Sequence, residues 1–136
     1  MKILVIDGQG GKLGRELIER IRAQLPDTFI TAVGTNSLAT QAMLKASPDE
    51  AATGENPVVV SARFANVILG PVGIAIADSF VGEVTPAMAL AVAQSRAKKI
   101  LIPFNRCDTL IAGAGNQSGD ELIADAIQKC KSFVES

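Results

Sequence analysis

The sequence contains no histidine, tryptophan or tyrosine, and only two of its 136 residues are cysteine. Without histidine, the chain has no histidine-dependent catalytic triad, no histidine-ligated zinc site and no imidazole proton shuttle. Cys107 and Cys130 are 23 positions apart, and two thiols are too few for a disulfide framework or a thiolate-only zinc site. These absences exclude several enzyme classes before any motif is considered.

An excess of charge of one sign is also lacking, because 13 basic residues stand against 14 acidic ones and the formal net charge is −1. Binding to nucleic acid or to a membrane surface needs a clear excess of lysine and arginine, so we expect neither partner. The longest apolar run, residues 67–77, is much shorter than the roughly 20 residues of a membrane-spanning helix. The opening MKILVID does not have the pattern of a signal peptide. We therefore expect a soluble, cytoplasmic protein.

The rest of the composition, 48% hydrophobic and 20% charged residues, is typical of one globular domain, here residues 1–136. Short apolar runs alternate with segments of helical periodicity, which indicates an open parallel sheet. The predicted strands are 3–6, 28–33, 50–53, 66–69 and 100–103, and the predicted helices are 12–25, 38–46, 57–64, 86–96 and 119–134. We expect a single-domain α/β fold, a Rossmann-like or flavodoxin-like three-layer sandwich whose five-stranded parallel sheet has the order 3-2-1-4-5.

Some local patterns leave alternatives open. Asn56-Pro57 resembles an N-cap followed by proline at the first helical position, which favours the helix at 57–64. The β-branched run Val58–Val60 favours a strand instead, and only the alternation of strands and helices supports the helix. Residues 72–84 have no clear pattern, and residues 105–118 are predicted to form a loop. In the first helix, Glu16 and Arg20 have the spacing of an i,i+4 ion pair.

The most informative motif lies between the first strand and the first helix, and it reads Asp7-Gly8-Gln9-Gly10-Gly11-Lys12-Leu13-Gly14. One inserted residue turns the dinucleotide-binding spacing G-x-G-x-x-G into G-x-G-G-x-x-G. Glycine lets the backbone approach a ligand closely, and the N–H groups at a helix N-terminus favour a phosphate. We expect residues 8–13 to bind a phosphate group, with Lys12 adding positive charge. The alternative is a tight turn that holds no ligand.

The second strand is followed by Gly34-Thr35-Asn36-Ser37. A dinucleotide site usually has an acidic residue here for the adenosine ribose, and this sequence has neither an acid nor an arginine. Asn36 and Ser37 have the chemistry to hydrogen-bond a ribose or a phosphate, or simply to cap the next helix. The expected ligand is a nucleotide or another small phosphorylated molecule. NAD(P) remains possible but is favoured less than a mononucleotide or a phosphorylated metabolite.

Further candidates follow the fourth and fifth strands. Gly70 and Pro71 either line the ligand or make a turn. Asp78 and Glu83 are acids within an apolar stretch, which suits acid–base catalysis but is equally typical of a cap or a solvated loop. Arg106 has the geometry to bind a carboxylate or phosphate, or to form a surface ion pair. Asp78, Glu83 and Arg106 are the catalytic candidates, and we predict no metal site.

The helix predicted at 86–96 carries no charge from Pro86 to Ser95. A helix that flanks a sheet usually has a polar outer face, so this composition indicates a second covered face. A subunit interface is the simplest cover, and residues 72–84 are the alternative. We expect a homo-oligomer, most simply a dimer.

Several stretches resemble a family of short bacterial proteins, namely IDGQGGKLG, GTNSLATQAMLKA, ATGEN, ILGPVGIAIADSFVGEVTP and KKILIPFNRC. The likeness covers nearly the whole chain. The family is a domain of unknown function, so the resemblance implies a small Rossmann-like bacterial protein and no catalytic residues. The shorter stretch GGKLG also resembles the glycine loop of prephenate dehydrogenases.

Two hypotheses from different classes follow. In the first, the glycine loop binds a nucleotide or a phosphorylated small molecule, with or without a reaction. In the second, the loop is structural and the protein is a non-catalytic subunit or sensor that acts through its apolar helix.

Overall fold

The computed structural model describes residues 1–104 and 109–136. The strands are β1 (Lys2–Asp7), β2 (Phe29–Gly34), β3 (Glu50–Thr53), β4 (Val67–Pro71) and β5 (Lys98–Ile102). The helices are α1 (Lys12–Gln24), α2 (Ser37–Leu44), α3 (Glu55–Phe64), α4 (Pro86–Gln94) and α5 (Gly119–Glu135). Within the described residues the sheet is wholly parallel and has the order β3-β2-β1-β4-β5. The predicted α/β class, strand number and strand order are confirmed.

The central strand β1 is apolar on both faces because helices cover both faces of the sheet. Ile3 and Val5 pack into one core together with buried residues of α1, α2 and α5. Leu4 and Ile6 pack into a second core together with buried residues of α3 and α4. The sheet therefore lies between two helical layers, and α1 and α5 lie on the same face.

The segment after β3 is helical, so the alternative strand at Val58–Val60 is wrong. The predicted start of this helix is also wrong, because α3 begins at Glu55 and its N-cap is Gly54 rather than Asn56. Pro57 thus lies in the first turn, where no N–H group is required of it. Burial of Val58 and Ala62, one helical turn apart, against the sheet outweighs the local β propensity.

The other boundaries differ from the predictions by a few residues. β5 begins at Lys98 rather than at residue 100. It is an edge strand, and lysines are common in edge strands, so the apolar run by which the strand was predicted begins only after Lys98 and Lys99. α4 ends at Gln94 because Ser95 is extended and its hydroxyl donates a hydrogen bond to the carbonyl of Ala62 at 2.7 Å. Arg20 pairs with Asp120 at 3.0 Å and not with Glu16, so the predicted i,i+4 pair is wrong.

The segment left open at 72–84 begins with a 3₁₀ turn, Val72–Ala75, and continues as a compact loop. The N–H of Asp78 donates to the carbonyl of Val84 at 2.7 Å, and the N–H of Val84 donates to the carbonyl of Ser79 at 3.1 Å. Asp78, Phe80 and Val81 all have positive φ, which is uncommon for residues with a side chain. This loop, residues 76–84, is called the β4–α4 loop below.

None of the helices described here is both long enough and apolar enough to cross a membrane.

Candidate functional site

The glycine loop turns sharply from β1 into α1. Gly11 is the N-cap of α1 and has φ 74°, a left-handed conformation that glycine adopts without strain. A Cβ on Gly11 would also lie 2.6 Å from the carbonyl oxygen of Ala39. A Cβ on Gly14 would lie 2.5 Å from the sulfur of Met43 and 2.9 Å from the Cβ of Asp7. Internal packing therefore explains why these two positions are glycine.

Gly10 is different, because no residue in the described part of the chain lies within 4 Å of the position that its Cβ would occupy. Its φ is not positive either, so neither packing nor backbone conformation requires glycine here. Gly10 is exposed at the loop surface. In a phosphate-binding loop, a glycine at such a position lets the backbone approach the ligand.

The first turn of α1 has unused hydrogen-bond donors. The N-cap residue Gly11 has no side chain to cap this helix, and only the N–H of Gly14 is bound by a side chain in the described residues, that of Asp7. The N–H groups of Gly10, Lys12 and Leu13 have no acceptor among residues 1–104 and 109–136. Free N–H groups and the positive end of the helix dipole together favour an anion at this point.

Asp7, the last residue of β1, fixes the shape of the loop from beneath. Its Oδ1 accepts the N–H of Gly8 at 2.8 Å, and its Oδ2 accepts the N–H of Gly14 at 2.7 Å. The side chain is buried, with 4% exposure. Burial raises the pKa of the Asp7 carboxyl to about 6, and the nearby Glu83 carboxylate adds to the rise. The hydrogen bonds from the N–H groups of Gly14 and Gly8 lower this pKa but do not outweigh the burial.

Glu83, a residue of the β4–α4 loop, binds the glycine loop and the end of β2. Its Oε1 accepts the N–H of Gln9 at 2.9 Å, the hydroxyl of Thr35 at 2.7 Å and the Nδ2 of Asn36 at 2.9 Å. Burial raises the pKa of the Glu83 carboxyl, but these hydrogen bonds outweigh it and the net pKa lies below the ordinary value. Asn36 also donates to the carbonyl of Gln9 at 3.0 Å, which helps to hold Gln9 at its positive φ of 50°.

A cavity of about 390 Å³ lies between the glycine loop and the N-terminus of α5. All of the loop residues from Asp7 to Leu13 line it, with Lys12 as the basic side chain. The rest of the lining comes from Glu16 of α1, Phe104 after β5, and Gly119, Asp120 and Ile123 of α5. The predicted residues Gly8, Gln9, Gly10, Gly11, Lys12 and Leu13 therefore meet at one cavity.

The other predicted binding residues lie elsewhere. Asn36 is the N-cap of α2, where its Oδ1 accepts the N–H of Ala39 at 2.8 Å, and Ser37 is the first residue of that helix. Gly70 and Pro71 are buried at the end of β4, and a Cβ on Gly70 would lie 2.3 Å from the carbonyl oxygen of Ile6. These four residues do not line the cavity.

The catalytic candidates do not converge in the described part of the chain. Asp78 is exposed in the turn of the β4–α4 loop, whereas Glu83 is bound to the glycine loop. Arg106 lies outside the described residues. The described residues also contain no group of three or more acidic or cysteine side chains placed to hold a metal ion.

The sequence interpretation did not include Asp7, Glu16 and Phe104 among the site residues. Asp7 had a recognisable signal, since a charged residue directly follows the apolar run of β1 and buried charges are rarely without a role. Glu16 and Phe104 had only an indirect one. The order 3-2-1-4-5 places α1 and α5 on the same face, so residues near both N-termini are expected to meet.

Comparison with known proteins agrees with the resemblance drawn from the sequence. No curated protein matches the chain. One family model matches residues 2–135, which is nearly the whole chain, and its description assigns no activity. The bacterial origin stays a prediction. The chain belongs to the family described as Domain of unknown function (DUF3842).

Proposed function

We propose that the glycine loop, residues 8–13, binds the phosphate group of a nucleotide or of a phosphorylated metabolite. The observation that carries this proposal is the open position at Gly10, where a Cβ would have no neighbour within 4 Å among residues 1–104 and 109–136. The surrounding glycines are required by the fold, whereas Gly10 is glycine at a surface that faces the cavity. Close approach of a ligand to the backbone would explain why this position is glycine.

The electrostatics of the loop agree with an anion. The N–H groups of Lys12 and Leu13 are unpaired within the described residues, and they lie at the positive end of the α1 dipole. The ammonium group of Lys12 adds a full charge at the same cavity. Two carboxylates lie next to the glycine loop, those of Asp7 and Glu83. Both already accept hydrogen bonds from backbone N–H groups of the loop or of the first turn of α1.

Calorimetric titration of inorganic phosphate and AMP into the wild type and into Lys12→Ala tests the proposal. We expect Lys12→Ala to weaken binding by about tenfold or more, as is typical for loss of a contact between charged groups. The matched control is Lys45→Ala, which removes another exposed lysine, at the end of α2. Equal binding by the wild type and Lys12→Ala would contradict the proposal, and so would the absence of binding by the wild type.

A second candidate function is assembly through α4, as a subunit that acts by contact. The exposed positions of this helix are Pro86, Ala87, Leu90, Ala93 and Gln94, so its outer face is uncharged. Leu90 is 55% exposed beside a groove of about 520 Å³ between α3 and α4. The β4–α4 loop does not cover this face, which supports an interface between copies of the chain.

A further inference from the structure

The crevice where a dinucleotide would lie is filled by the protein. In a sheet of this order, a dinucleotide crosses the carboxyl ends of β1 and β4, where the strand order reverses. Phe80 of the β4–α4 loop is buried there, with 2% exposure. A Cβ on Gly8 would lie 2.7 Å from its ring, and a Cβ on Gly73 would lie 3.0 Å from it. The ring therefore fills the space between the turns that follow β1 and β4.

The position of the adenosine ribose is filled as well. A dinucleotide site receives this ribose at the carboxyl end of β2, where the present chain has Thr35 and Asn36. Both side chains donate to the Glu83 carboxylate, at 2.7 and 2.9 Å. A Cβ on Gly8 would lie 2.6 Å from the Thr35 hydroxyl, so no gap separates the glycine loop from the end of β2.

The open space lies on the α5 side of the loop and is small. Its volume of about 390 Å³ is near the lower end of the roughly 300–1,000 Å³ of small-molecule sites. Lys12 lies at one part of its wall, and Glu16 lies one helical turn further along α1. Asp120 in the same wall is paired with Arg20. Glu16, in contrast, has no hydrogen bond or ion pair to any residue in 1–104 or 109–136.

We propose that the cavity selects a compact phosphate monoester that carries hydroxyl or amino groups, and that Phe80 and Glu83 exclude a dinucleotide. The phosphate contacts the first turn of α1, and Glu16 accepts a hydrogen bond from a hydroxyl or ammonium group of the same ligand. This inference rests on the proposed function of the glycine loop. It adds the ligand class and three specificity-determining residues, of which Glu16 attracts the ligand while Phe80 and Glu83 exclude a dinucleotide.

Calorimetric titration with inorganic phosphate, ribose 5-phosphate, phosphoethanolamine and NAD tests this selectivity. We expect ribose 5-phosphate or phosphoethanolamine to bind about tenfold more tightly than inorganic phosphate, which one hydrogen bond to a charged group provides. NAD shows no binding at the same concentrations. Glu16→Gln reduces the advantage of the monoester while inorganic phosphate still binds. The control Glu135→Gln, at the distant end of α5, leaves both affinities unchanged.

The outcomes separate this inference from the proposed function. If NAD binds the wild type as tightly as the monoesters, the ligand class is wrong although the phosphate site stands. The same holds if neither monoester binds more tightly than inorganic phosphate, or if Glu16→Gln leaves their ratio unchanged. If no phosphate compound binds, both the proposed function and this inference are overturned.

Discussion

The Oδ2 of Asp7 accepts the N–H of Gly14 at 2.7 Å, which fixes the end of β1 to the first turn of α1. The other oxygen of the same carboxyl accepts the N–H of Gly8 at 2.8 Å. One buried acid therefore determines where the glycine loop begins and ends. The pKa of this carboxyl is raised from 3.8 to about 6 because burial disfavours its charged form.

The raised pKa of Asp7 predicts a pH dependence of stability. Between pH 4 and 6 the folded protein retains a proton on Asp7 that the unfolded chain releases, so the free energy of unfolding falls as pH rises through this range. The full effect is about 3 kcal/mol, from the shift of the pKa. We expect Asp7→Asn to lower stability at pH 4 and to remove this contribution to the pH profile. Urea unfolding followed by circular dichroism measures both.

Asp49 provides a control of opposite sign. The N–H of Ile30 and the guanidinium of Arg22 hydrogen-bond its carboxyl and lower its pKa. The stabilisation is therefore complete above the unfolded pKa and is lost as pH falls through the folded value. Asp49→Asn is expected to lose stability at pH 7, and the difference from the wild type shrinks in acid. If Asp7→Asn and Asp49→Asn change the profile in the same direction, the assignment for Asp7 is wrong.

The two glycines Gly10 and Gly14 are predicted to respond differently to the same added methyl group. Gly14→Ala forces a Cβ to within 2.5 Å of the Met43 sulfur, and overpacking of this kind costs about 1–3 kcal/mol of stability. The Cβ of Gly10→Ala meets no atom of the residues that the structure describes, and the variant is expected to leave the free energy of unfolding unchanged or slightly raised. Urea unfolding of both variants tests the assignment, and equal destabilisation would contradict it.

Val81 is predicted to be a strained position that substitution improves. It is fully exposed at the tip of the β4–α4 loop and has φ 57°, which is unfavourable for a β-branched side chain. Val81→Asn places a residue that tolerates this conformation and is expected to raise the free energy of unfolding by about 1 kcal/mol. Val60→Asn, at a partly exposed position of α3 where φ is not positive, is expected to give no such gain. A lower free energy of unfolding for Val81→Asn than for the wild type would contradict the claim that Val81 is strained.

The uncharged face of α4 predicts self-association. Leu90→Glu places a charge at the centre of this face and is expected to convert a dimer into a monomer. Leu44→Glu is the matched control, since Leu44 is 51% exposed and lies on α2. Light scattering coupled to gel filtration gives the mass of each variant. A monomeric wild type, or a dimer that survives Leu90→Glu, would contradict assembly through α4.

The strand order was predictable because β1 and β4 are buried on both faces and read as continuous apolar runs. The position of the glycine loop was predictable for a different reason. Its glycines lie directly between an apolar strand and a helix with a periodic apolar face. The β4–α4 loop was not predictable. Positive φ at Phe80 and Val81 contradicts their backbone preferences, and it goes with the burial of Phe80 and with backbone hydrogen bonds inside the loop.

The role of Glu83 was equally invisible in the sequence, because its acceptor contact with Gln9 joins residues that are 74 positions apart. Its presence in an apolar stretch marked it as a candidate without showing what it binds. Asn36 also has one role that the sequence indicates and one that it does not. Its position before α2 indicates an N-cap, which the structure confirms, whereas its hydrogen bond to Glu83 depends on the fold.

The most direct test of the central claim is the affinity of inorganic phosphate for Gly10→Ala, measured by calorimetry beside the wild type. The added methyl group occupies space that the described residues leave open, so we expect it to obstruct a bound ligand rather than the fold. We predict that Gly10→Ala keeps the stability of the wild type and binds phosphate at least about tenfold more weakly, the cost of losing one charge-assisted hydrogen bond. Undiminished phosphate binding by a folded Gly10→Ala protein would contradict the assignment of the glycine loop as a phosphate site.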